Sequence, residues 1–71
     1  MATAVEAQIT GNVLRIEKRQ GDLLAEGDVI ITLESMKMEI PVEAPVPGTL
    51  AEIRVAEGEI VEEGAILAVI E

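Results

Sequence analysis

Two stretches of this chain, Gly21-Asp22-Leu23-Leu24-Ala25-Glu26-Gly27 and Gly58-Glu59-Ile60-Val61-Glu62-Glu63-Gly64, are versions of one another set 37 positions apart. The same offset matches residues 5–34 to residues 42–71. Val5-Glu6-Ala7 falls on Val42-Glu43-Ala44, Gly11 on Gly48, Ile16 on Ile53 and Glu34 on Glu71. Substitutions such as Val13/Leu50, Leu24/Val61 and Leu33/Ile70 keep apolar character. All six glycines obey this register. Each glycine marks a place where a Cβ would hinder the backbone, so their joint agreement points to a real duplication. Two copies are too few for a solenoid. They predict one domain over residues 1–71, built from halves 5–34 and 42–71 that an approximate two-fold axis relates.

Each half reads as strands and tight turns. The strand signals cover Val5–Ile9, Asn12–Lys18 and Val29–Glu34, then Ile40–Val46, Thr49–Val55 and Ile66–Ile70. Val13 and Ile16 are three apart, as are Leu50 and Ile53, which breaks strict alternation and predicts a bulge or bend in both strands. The paired glycines at 21/27 and 58/64 enclose an apolar pair, predicting a connection that turns twice and tucks one side chain inward. Seven residues, both glycines included, would make only a marginal helix. Pro41 and Pro45 cannot serve a central strand, so Ile40–Val46 reads as an edge.

Composition agrees. Of 71 residues, 49% are hydrophobic and none is aromatic, and the 17 Val and Ile suit a compact β domain. With 14 acidic and 5 basic residues, the formal charge is −9. The acidic residues are expected to form the solvent face. So few basic groups, with no aromatic to stack on bases, make nucleic acid a poor partner. Without Cys or His there is no disulfide framework, thiol nucleophile, thiolate metal site or ordinary general base. Ser35, the threonines and the lysines remain as nucleophiles with no activating base beside them, so an enzyme in its own right is the poorest fit. The N-terminal residues lack a signal-peptide pattern and no apolar run is long enough to span a membrane, which leads us to expect a cytoplasmic protein.

Between the halves lie Ser35-Met36-Lys37-Met38-Glu39-Ile40-Pro41, which have no counterpart. Such a junction belongs on the symmetry axis, at the end of the domain away from both termini. It places a lysine between two methionines on a hairpin tip, where Gly, Asn, Asp or Pro would be usual. Either the thioethers are exposed for another protein to grip, or they turn inward to close the core while Lys37 solvates the tip.

Glu34-Ser35-Met36-Lys37-Met38-Glu39 closely resembles the signature of biotinyl domains, in which the lysine between two methionines carries biotin. The resemblance extends over essentially the whole chain, including the turn and strand at Ala44-Pro45-Val46-Pro47-Gly48-Thr49-Leu50 and the internal two-fold. Ala7-Gln8-Ile9-Thr10-Gly11 departs from the proline-rich turn of many relatives, and the protruding thumb of some acetyl-CoA carboxylase carriers is missing. The chain looks like a stand-alone biotin carboxyl carrier.

That resemblance implies an all-β fold, a flattened antiparallel barrel of two four-stranded sheets. It implies covalent biotin on Lys37, with Glu34, Ser35, Met36, Met38 and Glu39 read by a biotin protein ligase. The ligase, rather than this domain, would deprotonate the amine and stabilise the oxyanion. As a swinging arm, the group would then carry a carboxyl from a biotin carboxylase to a carboxyltransferase, its tether raising the local concentration at each. An acidic surface with few large apolar anchors suits transient encounters with basic partners. Lipoyl domains share the fold and the hairpin lysine, so lipoate on Lys37 is the alternative. Their lysine usually follows an acidic residue and precedes a small one, whereas both neighbours here are Met. A third reading is an interaction module whose Lys37 is never acylated.

Overall fold

The computed structural model describes residues 1–71 and contains eight strands and no helix. In chain order they are β1 (Thr3–Glu6), β2 (Gly11–Ile16), β3 (Leu23–Leu24), β4 (Val29–Ser35), β5 (Met38–Glu43), β6 (Gly48–Ile53), β7 (Ile60–Val61) and β8 (Ile66–Ile70). They form two four-stranded sheets, ordered β1-β8-β6-β3 and β5-β4-β2-β7, with every pairing antiparallel. Exchanging the halves turns one order into the other: β1 becomes β5, β8 becomes β4, β6 becomes β2 and β3 becomes β7. The quasi-two-fold symmetry is therefore a property of the pairing itself. The equivalence also reaches further than the sequence match, because Thr3 and Ala4 sit opposite Ile70 and Val69 as Ile40 and Pro41 sit opposite Leu33 and Thr32.

The core obeys the same rule. Its 14 buried apolar residues form seven pairs 37 positions apart, running from Val5/Val42 and Ala7/Ala44 to Ile31/Ala68 and Leu33/Ile70. Leu24 and Val61 are the inward side chains of the glycine-flanked connections, while their neighbours Leu23 and Ile60 stand in solvent. The predicted irregularities are present. Pairing slips between Val13 and Arg15 against β4, and between Leu50 and Glu52 against β8. No helix is long and apolar enough to cross a membrane.

Three details of the sequence reading need correction. The connections contain two-residue strands, β3 and β7, too short for alternation to register. β1, β2, β5 and β6 end earlier than their apolar patterns suggested, at Glu6, Ile16, Glu43 and Ile53. Val46 and Val55 extend those patterns because they pack against the core from loops. β5 also begins at Met38 rather than Ile40, although it is the edge strand expected.

β6 fixes which end is which. It starts beside the C-terminus, where Thr49 and Glu71 exchange backbone hydrogen bonds of 2.7 and 2.8 Å. Its continuation reaches the other end of the molecule, where Gly58 donates to the Val13 carbonyl and Val13 to that of Glu59. β7, which follows, pairs with Gly11 and Asn12, and Asn12 in turn faces Glu34 just below the β4–β5 turn. Turn and termini thus occupy opposite ends of a body measuring 32 × 17 × 17 Å.

Candidate functional site: the β4–β5 hairpin tip

β4 and β5 are paired up to Ser35 and Met38, so Met36 and Lys37 alone reverse the chain. Both take positive φ, 53° and 65°. Positive φ at both central residues is the geometry of a type I′ turn, whose twist matches that of the flanking strands. Asn-Gly is the usual occupant, since a side chain in this region costs about 1–2 kcal/mol per residue. The core, through Leu33 and Val42, fixes the hairpin register and holds the two residues there despite that cost.

The tip projects outward. Met36 and Met38 are 89% and 61% exposed, so neither closes the core, and the inward alternative is excluded. Lys37 is exposed and makes no ion pair. Glu34 and Glu39 face one another across the strands and are exposed, and Ser35 is half-buried against the Gly11 backbone. The structure thus brings all six singled-out residues, Glu34 to Glu39, onto one hairpin. A cleft of about 300 Å³ lies instead along the seam between the edge strands, lined by residues such as Ala4, Ile9, Ile40 and Pro41, and does not include the tip.

A polar network below the tip was not apparent in the sequence. Arg15 donates from Nη2 to Glu39 Oε1 at 2.8 Å and from Nε to Glu17 Oε2 at 3.3 Å. Thr32, the one buried polar residue, donates its hydroxyl to the same Glu17 oxygen at 2.7 Å. The Thr32 hydroxyl, and then Arg15, hold the Glu17 carboxyl below its ordinary pKa. Hydrogen bonds to Glu39 and then Glu17 raise that of Arg15, which stays charged. The available sequence signal was the inverted charge order at equivalent positions, Arg15-Ile16-Glu17 against Glu52-Ile53-Arg54.

An exposed amine at the apex of a two-residue turn, carried by rigid strands, can be acylated without disturbing the core. The family match accords with this. The model of the family described as "Biotin-requiring enzyme", the biotin/lipoyl attachment domains, matches residues 1–70, and the chain belongs to that family. The "Biotinylated protein TB7.3 homolog" of Mycolicibacterium smegmatis is 52% identical over 42 residues, a segment covering 59% of each chain. The "Biotin/lipoyl attachment protein" of Bacillus subtilis is 42% identical over 38 residues, 54% of this chain and 52% of that one. Among solved structures, the urea carboxylase of Kluyveromyces lactis contains a segment that superposes on the whole chain with a TM-score of 0.96 at 32% identity. That segment is 6% of the carboxylase.

Proposed function

We propose that the chain is a biotin carboxyl carrier whose prosthetic group is joined by an amide bond to Lys37 Nζ. The observation that carries this reading is an unpaired amine held at the apex of a strained turn between two exposed thioethers. Two unbranched apolar side chains in water offer adaptable contacts to an enzyme that must recognise the tip and then release it. Ser35, Glu34 and Glu39 complete that recognition surface.

The charged lysine must lose a proton before its nitrogen attacks the acyl carbon of activated biotin. The amide bond forms as the bond to the activating group breaks. No base lies beside Lys37, so a biotin protein ligase supplies proton acceptor and oxyanion donors. When bound, biotin supplies a ureido nitrogen that can carry a carboxyl group between a biotin carboxylase and a carboxyltransferase. This chain's part is to hold the arm on a rigid body, bind both enzymes weakly and do no chemistry itself.

The name of the Bacillus subtilis relative, which mentions both groups, supports lipoate as a second reading. Methionine on both sides of Lys37 favours biotin. Intact-mass analysis of protein made in cells decides the matter. One biotinyl increment on Lys37 and none on Lys18 is expected, a lipoyl increment establishes the second reading, and bare Lys37 in the presence of a competent ligase refutes both.

A further inference from the structure

The duplicated scaffold contains its own control. In the core the halves agree pair by pair, but on the outer face of the tip-bearing sheet they diverge. Thr32 corresponds to Val69, Arg15 to Glu52, Glu17 to Arg54 and Glu39 to Ala2. Val69 occupies the place equivalent to Thr32 with no hydroxyl, so the fold itself does not require one there. In the other sheet the Arg54 side chain bonds only to Glu52, two residues away, and ties no strands together. In the tip-bearing sheet the bonds run from Thr32 on β4 to Glu17, to Arg15 on β2, and across β4 to Glu39 on β5.

β5 needs such a tie. It is an edge strand, held on one side only, with Pro41 unable to donate a backbone hydrogen bond. Glu39 lies directly opposite Glu34, and like charges in that relation repel. Arg15 brings a permanent cation to Glu39 from two strands away.

We propose that Arg15 is a positioning residue: through Glu39 it fixes the β5 arm of the hairpin, so that Met36, Lys37 and Met38 meet the modifying enzyme in one geometry. The enzymatic half of this proposal rests on reading Lys37 as the acylated amine. Its conformational half does not.

The test compares Arg15→Gln with Arg54→Gln, the same charge change on the opposite sheet, and with the charge swap Arg15→Glu/Glu39→Arg. ¹⁵N relaxation reports the order of the amides from Met36 to Glu39. Steady-state acylation by a biotin protein ligase, with biotin and ATP, gives KM and kcat. Arg15→Gln is expected to lower the order of the tip and raise KM about two- to fivefold with kcat unchanged, in keeping with an exposed charge pair. Arg54→Gln should do neither, and the swap should restore the order of the tip. A tip as ordered in Arg15→Gln as in the parent chain overturns the proposal, as does a swap that restores nothing. Unacylated parent protein would overturn the reading of Lys37, while the relaxation data would still decide the brace.

Discussion

Gly11 and Glu34 touch backbone to backbone: a Cβ on Gly11 would lie 2.8 Å from the Glu34 carbonyl oxygen. Its symmetry mate Gly48 stands in the same relation to Glu71, at 2.7 Å. The duplicated glycines at these positions are thus required by close approach. Those at 27 and 64 are required by φ of 92° and 90°, with open space around them.

Gly11→Ala should therefore destabilise the domain by about 1–3 kcal/mol, because the obstacle is main chain and the hairpin must shift. Gly64→Ala should lose about 1–2 kcal/mol through backbone strain alone. Urea unfolding measures both. The two also separate by NMR, since only the first should move the shifts of Glu34 to Met38.

Relieving the turn should separate stability from function. Met36→Asn/Lys37→Gly supplies the residues that a type I′ turn prefers and should raise the unfolding free energy by about 1–2 kcal/mol. The same variant should accept no acyl group. A loss of stability would show that the tip is unstrained.

Lys37→Arg keeps the charge and removes the acylatable amine. Its stability should match the parent within about 0.5 kcal/mol, as for a surface substitution. Its mass should stay unmodified in cells in which the parent acquires a prosthetic group. In the parent, acylation removes one positive charge from a chain of formal charge −9, so isoelectric focusing should resolve the two forms.

Glu17 should shape the acid limb of stability. Its folded pKa lies below the ordinary 4.5, so its contribution is present above that value and disappears as pH falls through the folded one. Glu17→Gln should flatten the urea midpoint against pH below about 4.5. Thr32→Val should weaken the same dependence, since its hydroxyl is the leading cause. Added salt should weaken the part due to Arg15.

Much of this was legible along the chain. The glycine register gave the symmetry, and the broken alternation at Val13/Ile16 and Leu50/Ile53 gave the bulges, because both are written in local backbone demands. The conspicuous Met36-Lys37-Met38 marked the hairpin tip, although the pattern alone left open whether its methionines face outward or inward. β3 and β7 were not legible, since two residues carry no period. Nor was the bond from Arg15 to Glu39: it joins residues 24 apart through tertiary placement, and composition alone treats each as a solvated charge.

Each sheet takes two strands from either half, so neither half can satisfy its hydrogen-bonding edges or cover its core by itself. A polypeptide of half this length would have to borrow the missing strands from a twin, and the smallest heritable unit would have been an intertwined pair. Joining two such twins end to end would leave one segment, the link between them, that the duplication itself does not prescribe. Lys37 stands on that link, exposed above strands whose pairing is complete without it.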